Sequence, residues 1–556
     1  MSDDSDVSND LQLLLSRADS GEPTLPEGLP VSALTVEVDR ADGEPEEGPE
    51  YLYDPGADPQ SLRAQRWGVL APEGERGERL LDLIRPLMDR RAEQQGAPVK
   101  VYRLPPKMTA EQAIQWKRDV FNPRSDFSLE VPAYQLLLGD LHETPLSVQQ
   151  ALSIDGFTGR LAFDHDDDYR AYADKVLRWE DHPAAVESPD SLYFTVHDKT
   201  DATRAGYREL MKPGLALAMQ YRDRGLYLAE RLEEHGDKII PSPDELLGLV
   251  KRTHPTVVFS VSHGDGPPLG GWANVEAQRR GQGAMSFGRD GKIRAEDLPD
   301  GAFLPGGVWF MLACYGAGTP GHSAYAHWLA KLKSVGQFRS QIEPVLAGIP
   351  KPGDQPFIAA LPKRVLANPE GPLAFIGHID LAWTYSFQEL DSGVQSRIGR
   401  FLGVQRMLMK GDRVGVGLRD LVSGVNDLNE QLASAHDQAA RAGEGAALPN
   451  SLGHVWMARN DLAAWVLLGD PAARLPLRQS APAPTHATFS PFGFAPTPQT
   501  TGAPSLERVE AAIFSLLSGQ GGAETLAASL GLTGVQLKEL AELYSAAGRA
   551  AVGPRL

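Results

Sequence analysis

Cysteine is almost missing from this sequence: the 556 residues contain a single one, Cys314. One thiol excludes an internal disulfide framework, and it excludes a zinc site built from several thiolates. The cysteine lies in "MLACYGAGTP" (311–320), where an apolar run gives way to glycines. A lone cysteine in such a run is either a small buried hydrophobic residue or a reactive nucleophile. Both interpretations are open at this point.

Long apolar runs are lacking too. No stretch reaches the roughly 18 to 20 residues that a membrane-spanning helix needs. The N-terminal "MSDDSDVSND" lacks the basic start and apolar stretch of a secretory signal. We therefore expect a cytoplasmic protein with no membrane partner.

Basic patches and metal-binding spacings are also lacking. No cluster of Lys and Arg stands out, so we expect no nucleic-acid partner. His322 and His327 are five residues apart rather than on one helix face, and no HExxH motif is present. We expect neither a metal site nor another cofactor.

Acidic residues are concentrated at the start of the chain. Residues 1–60 contain 16 Asp and Glu against 2 Arg, a net charge of −14 out of −19 for the whole chain. A segment this acidic, rich in Gly and Pro, buries too little apolar surface to offset its ordering entropy. We expect residues 1–61 to be a disordered acidic head, either a solvated tail or a mask over a functional site.

The middle of the chain alternates apolar strands with amphipathic helices, which predicts a mostly parallel sheet with helices on both faces. A Pro/Thr/Ala-rich stretch at 476–505 is typical of an extended linker. Residues 506–556 show leucines at helical spacing, and residues 505–556 hold 5 acidic and 4 basic side chains. This near-neutral helical segment is expected to be a small adaptor that docks a regulatory protein rather than nucleic acid.

Two reactive side chains follow buried strands. His263 comes after "VVFSVS", and Cys314 comes after "VWFMLA". Because functional groups of parallel α/β sheets gather beyond the carboxyl ends of strands, these side chains are expected at one edge. A thiol beside an imidazole is suited to nucleophilic acyl transfer.

Backbone amides next to these residues are candidates for an oxyanion hole. Gly264 follows the histidine, and glycine lets the backbone approach a substrate closely. We expect the N–H groups of Gly264 and Cys314 to point at a developing oxyanion.

These strand ends resemble a known family. A strand ending in His-Gly, followed by a strand ending in Ala-Cys, is similar to the caspase-like clan of cysteine peptidases. The flanking segments resemble the gingipain-type branch of that clan, over about residues 67–475. The segments that carry this resemblance are "YQLLLGDLHETP", "GRLAFDHDDDYRAYADKVLRWE", "FIGHIDLAW" and "WVLLGDPAARL".

The resemblance implies an endopeptidase that cleaves protein or peptide substrates by a Cys-His dyad. Cys314 would be the nucleophile. His263 would protonate the leaving amine and then help to activate the deacylating water. An acidic residue that orients the histidine is implied at Asp198 or Asp201, and the choice between them stays open.

The resemblance also implies a substrate pocket. Trp383 would wall this pocket, with Val261 and Leu312 near its base. Residues 270–291, between the histidine and the cysteine, are insertion-like and would reshape or cap the cleft.

The implied architecture is two mostly parallel sheets flanked by helices, a non-catalytic subdomain at 62–185 and a catalytic subdomain at 186–475. Activity would be regulated by a partner or by proteolytic activation. The alternative function is a catalytically inactive peptidase-like scaffold that binds peptides or partner proteins.

Overall fold

A computed structural model describes most of the chain up to residue 478. The described residues are 10–35, 52–54, 57–123, 131–336, 338–389, 395–442 and 452–478, together with six helical residues between 527 and 541. The chain divides into two compact units, Met1–Arg478 and Gln479–Leu556. The predicted linker and helical adaptor therefore lie almost wholly outside the described residues, and the adaptor stays a prediction.

The strands of the described residues fall into one large sheet, one sheet of four short strands and two short pairs. Their bounds are β1 Leu15–Arg17, β2 Trp67–Pro72, β3 Lys100–Leu104, β4 Tyr134–Leu138, β5 Phe157–Leu161, β6 Asp190–Thr195, β7 Leu232–His235, β8 Thr256–Val261, β9 His263–Gly266, β10 Met285–Ser286, β11 Lys292–Ile293, β12 Val308–Leu312, β13 Gly318–Thr319, β14 Phe357–Ile358, β15 Ala374–His378, β16 Gln388–Glu389, β17 Gln395–Ser396 and β18 Trp465–Gly469.

Helices connect most of these strands. Their bounds are α1 Leu62–Gln65, α2 Glu75–Leu83, α3 Arg85–Gln95, α4 Ala110–Trp116, α5 Leu146–Ser153, α6 Asp166–Asp181, α7 Asp201–Ala205, α8 Lys212–Asp223, α9 Pro243–Leu249, α10 Val275–Gly281, α11 Ala326–Val335, α12 Arg339–Gly348, α13 Ala360–Ala367, α14 Ile398–Met409, α15 Val414–Val422, α16 Gly424–Ala442 and α17 Leu452–Ala463. No helix among the described residues combines the length and apolar character needed to cross a bilayer.

The large sheet has ten strands within the described residues, in the order β3-β2-β4-β5-β18-β15-β12-β8-β6-β7. The first four are parallel to one another, and so are the last five. The predicted α/β class with mostly parallel, helix-flanked strands is confirmed. The two predicted sheets are halves of one sheet, because β18 pairs with β15 on one side and meets β5 on the other.

Both faces of the sheet are covered. Along β12, Phe310 and Leu312 belong to one apolar core, whereas Trp309 and Met311 belong to the other. Because successive side chains of a strand point to opposite faces, a strand buried on both sides is apolar throughout. On the first face, Phe401 of α14 stacks on the ring of Phe310, with the centroids 5.8 Å apart.

The expectation of a disordered head is wrong for residues 10–35. The run "LQLLL" (11–15) places four leucines in the core, each at most 1% exposed. Residues 15–17 form β1, which pairs in parallel with β9 in the four-stranded sheet. Net charge averaged over 60 residues conceals this short apolar run, and burial of the run offsets the ordering entropy locally.

Candidate active site

The histidine and the cysteine reach one edge of the sheet through register. Strands β8 and β12 are paired with Val261 opposite Leu312, the last residue of each strand. His263 and Cys314 each follow two residues later, and both are fully buried. Because both residues lie two positions beyond paired strand ends, the imidazole and the thiol reach the same edge of the sheet.

The backbone around the two residues is tightly packed. A Cβ on Gly264 would lie 1.8 Å from the carbonyl oxygen of Cys314, so only glycine fits there. Tyr315, directly after the cysteine, has a left-handed backbone with φ of 55°. A bulky residue in that region stores strain, which is common at turns that present a functional side chain.

The thiol of Cys314 is held by backbone groups of a neighbouring loop. The N–H of Ala382 donates to Sγ at 3.1 Å, and Sγ lies 3.5 Å from the carbonyl oxygen of the same residue. Burial raises the pKa of this thiol well above its ordinary value, and the carboxylates of Asp380 and Asp461 add to the rise. The thiol is therefore neutral at pH 7 in this arrangement.

His263 is held through threonine hydroxyls. Its Nε2 lies 2.9 Å from Oγ1 of Thr200, and that hydroxyl donates to Oδ1 of Asp198 at 2.8 Å. With the single hydrogen of Thr200 placed on Asp198, the hydrogen bond to the histidine is completed by Nε2–H donating to Thr200. Thr203 also donates to Oδ1 of Asp198, at 2.6 Å.

The other ring nitrogen of His263 is left open. Among the described residues, Nδ1 is buried without a hydrogen-bond partner, and so is Oδ2 of Asp198. Burial lowers the pKa of His263, while the Asp198 carboxylate, 3.7 Å from Nε2, and the backbone of Leu14 act in the opposite direction. A neutral imidazole with its proton on Nε2 presents a free lone pair at Nδ1.

Of the two acidic candidates, the structure brings only Asp198 to the histidine. Asp201 is partly exposed at the start of α7 and pairs with Arg204. Thr200, which links Asp198 to His263, was not predicted from the sequence. The one sequence pattern that marks it is weak: Thr200 is the N-cap residue of α7 and accepts a hydrogen bond from Thr203 N–H.

The two predicted oxyanion amides converge on one oxygen. The N–H of Gly264 donates to the carbonyl oxygen of Leu14 at 3.0 Å, and the N–H of Cys314 donates to it at 3.2 Å. The acceptor therefore belongs to the segment that was expected to be disordered. Two amides on one carbonyl oxygen, with an adjacent thiol, is the arrangement that polarises a carbonyl for attack.

The predicted pocket residues lie in one apolar cluster. Trp383, Val261 and Leu312 are fully buried in the same core as Cys314 and Leu14. Leu13 forms an isolated antiparallel bridge with Trp383. The indole also packs against an aromatic wall, whose members are Tyr325 at 5.9 Å and Trp328 at 5.7 Å between ring centroids.

The insertion-like residues 270–291 build part of the cleft. They form α10 and β10, and β10 pairs antiparallel with β9, with Ser286 opposite His263. Among the residues that the structure describes, no group of three or more His, Cys, Asp or Glu side chains is arranged to hold a metal ion.

Comparisons with known proteins found likenesses among solved structures alone. No protein-family model and no curated protein matches the chain. A structure titled "Structure of Protease" has 12% identity and a TM-score of 0.41, covering 76% of this chain and 80% of its own. The Arg-specific cysteine proteinase gingipain R (RgpB) has 12% identity, the same coverages and a TM-score of 0.39. A complex of the Porphyromonas gingivalis RgpB pro- and mature domains has 12% identity and a TM-score of 0.37, covering 74% and 79%. At such identity and scores, the likeness says nothing about the chemistry of this chain.

Proposed function

We propose that this protein is an intracellular cysteine endopeptidase in which Cys314 is the nucleophile and His263 transfers the proton. The observation that carries this proposal is the convergence of two amides on a peptide carbonyl oxygen, between a thiol and an imidazole with a free nitrogen. Acyl transfer from a peptide uses these three kinds of group: a nucleophile, a proton carrier and donors to the carbonyl oxygen.

The protonation states favour a first step in which attack by the sulfur and transfer of the thiol proton are concerted. Burial raises the pKa of Cys314 and lowers that of His263, so both groups are neutral at rest. As the sulfur attacks the carbonyl carbon, Nδ1 of His263 accepts the thiol proton and later delivers it to the leaving amine. Water then hydrolyses the thioester with the same imidazole as base.

Asp198 acts as a positioning residue in this proposal. Its carboxylate fixes the hydroxyl of Thr200, and that hydroxyl fixes the proton of His263 on Nε2. The free lone pair is thereby kept on Nδ1, on the reacting side. The apolar cluster of Trp383, Val261 and Leu312 would accept the substrate side chain before the scissile bond.

The proposal includes regulation. A protein docking on the helical segment 506–556, or proteolytic activation, would control access to the cleft. Tethering that segment by the linker 476–505 would raise the local concentration of its partner near the catalytic unit. The alternative, an inactive scaffold, has the same cleft but leaves bound peptides intact.

The test is cleavage of a peptide library by the full chain, read by mass spectrometry, with any new terminus in the chain itself also scored. We expect cleavage by the wild type and none by Cys314→Ala. Ser262→Ala is the matched control, because its hydroxyl is buried without a hydrogen-bond partner among the described residues. Cleavage that persists in Cys314→Ala would contradict the mechanism, and binding without cleavage by the wild type would favour the scaffold.

A further inference from the structure

The N-terminal segment crosses the candidate active site as one extended strand. On one side, the N–H of Leu14 donates to the carbonyl oxygen of Ala382 at 3.1 Å. Gln12 makes two hydrogen bonds with Thr384: its N–H donates to Oγ1 at 3.1 Å, and its carbonyl oxygen accepts from the N–H at 3.0 Å. Protein clefts commonly bind peptides by adding such a strand to a free backbone edge.

On the other side of the thiol, the same strand pairs with the histidine segment. Leu15, Ser16 and Arg17 are in parallel register with residues 264–266. The carbonyl of Leu14, held by the Gly264 and Cys314 amides, lies between the two paired halves. The peptide bond after that carbonyl is therefore the one presented to the thiol and the imidazole.

We propose, on the basis of the function proposed above, that the Leu14–Leu15 bond is the first bond this enzyme cleaves and that its cleft selects leucine before the scissile bond. The chain is thus its own first substrate. Other substrates are peptides with leucine at the position of Leu14.

The preference for leucine follows from the surroundings of Leu14. Its side chain is fully buried and belongs to the large apolar core that also contains Trp383 and Leu312. The carboxylates of Asp380 and Asp461 raise the pKa of Cys314, and both carboxylates accept hydrogen bonds from neighbouring groups. Their donors are Ser323 Oγ, Ala324 N–H and Leu381 N–H for the first, and Ser386 Oγ and Trp383 N–H for the second. Burial of a basic side chain among these apolar residues would cost its hydration, whereas burial of a leucine side chain is favourable.

The returning chain holds the strand in the cleft. The N–H of Thr24 donates to the carbonyl oxygen of Leu15 at 2.8 Å, and Leu11 and Leu29 exchange two backbone hydrogen bonds. Residues 11–29 thus form a closed loop, and the first strand of this loop fills the cleft. Other peptides gain access to the cleft after this strand is cleaved and released.

The step balances without any added reactant except water. The sulfur of Cys314 bonds to the carbonyl carbon of Leu14, and the carbon–nitrogen bond to Leu15 breaks. The thiol proton passes through His263 to the new amine of Leu15. Water then splits the thioester, giving its hydroxyl to the Leu14 carboxyl group and its proton back to the thiol.

The experiment follows two signals in the full chain. The first is the intact mass, where cleavage removes residues 1–14 and leaves Leu15 as the N-terminus. The second is alkylation by iodoacetamide, which reports on Cys314 alone because the chain has no other cysteine. The variants are Cys314→Ala, Leu14→Asp, the milder Leu14→Gly and the exposed-site control Glu27→Ala.

We expect the wild type and Glu27→Ala to release residues 1–14 and Cys314→Ala to stay intact. Leu14→Gly should cut itself at least tenfold more slowly. Leu14→Asp should stay uncut, and its Cys314 should be alkylated at least tenfold faster than that of uncut wild type, because a buried carboxylate expels the strand. A fluorogenic Leu-Gln-Leu-Leu peptide should be cleaved at least tenfold faster than its analogue with a terminal arginine.

Two results would overturn the inference in distinguishable ways. Cys314-dependent cleavage of library peptides, with the chain's own N-terminus intact and alkylation unchanged in both Leu14 variants, contradicts self-cleavage and leaves the proposed function standing. Absence of any Cys314-dependent cleavage, even in Leu14→Asp with accelerated alkylation, contradicts the proposed function itself.

Discussion

Two polar residues beyond strand ends, Asp140 in the first half of the large sheet and His263 in the second, have opposite hydrogen-bonding. After β4 in the first half, Asp140 accepts from the N–H groups of Leu141 and Ile358 and from Nζ of Lys363, each at 2.7 Å. After β8 in the second half, His263 Nδ1 is buried without a partner among the described residues. The paired carboxylate anchors the fold, whereas the unpaired nitrogen is the one that the proposed mechanism uses for proton transfer.

The two halves are otherwise comparable. Both consist of parallel strands with apolar residues on two faces, and their strand ends meet: Ile358, which binds Asp140, pairs with Gly318, four residues after Cys314. Substitutions on the two sides of this comparison should therefore separate an effect on catalysis from an effect on stability.

The largest effect is expected for His263→Gln. Loss of the proton-transfer nitrogen should lower kcat/KM by about 10²- to 10⁴-fold, the usual contribution of general acid–base catalysis. The midpoint of denaturant unfolding should change little, because Nδ1 makes no hydrogen bond with the described residues and the glutamine amide can donate to Thr200 in place of Nε2. His322→Gln, at an exposed position, is the control. Equal turnover in the two variants would remove His263 from the mechanism.

An intermediate effect, on stability alone, is expected for Asp140→Asn. Lys363 is nearly buried and would lose the buried one of its two carboxylate partners. Loss of a hydrogen bond between charged groups should lower the free energy of unfolding by about 1.5–3 kcal/mol. Urea unfolding measures this loss, while kcat/KM of the folded variant stays at the wild-type value.

The matched control for Asp140 is Asp164, the second partner of Lys363, whose side chain is 67% exposed. Asp164→Asn should cost less than about 1 kcal/mol, since solvent screens exposed pairs. If folded Asp140→Asn has a kcat/KM below the wild-type value, Asp140 also contributes to catalysis. That result would contradict the contrast between Asp140 and His263.

The smallest effect is expected for Asp198→Asn. Its carboxylate raises the pKa of His263 against the effect of burial, so its removal lowers that pKa further. The limb of the pH profile of kcat/KM that belongs to His263 should therefore move to lower pH. Turnover at pH 7 should fall about tenfold, roughly 1.4 kcal/mol, as the proton on Nε2 is held less firmly.

Asp201→Asn is the control for that profile, since Asp201 pairs with Arg204 instead of approaching His263. Its pH profile should superimpose on that of the wild type. A shifted limb in Asp201→Asn, with none in Asp198→Asn, would reverse the assignment of the positioning residue.

Sequence patterns predicted the placement of His263 and Cys314, because each follows an apolar strand and parallel strands present their carboxyl ends at one edge. Thr200 was missed because a hydroxyl in a polar loop has no distinctive pattern. Asp198 and Asp201 were equivalent by position, and only the turn into α7 directs one of them to the imidazole.

The sequence by itself determined the α/β class, the candidate dyad and the amides of Gly264 and Cys314. These depend on local periodicity and on the residue type at strand ends. Tertiary structure alone decided that the halves share one sheet and that residues 10–35 are ordered. It also decided that the carbonyl of Leu14 occupies the paired amides. The physical reason is that backbone hydrogen bonds between distant segments carry no side-chain signature, so any residue offers the same carbonyl and only the fold selects which one is held.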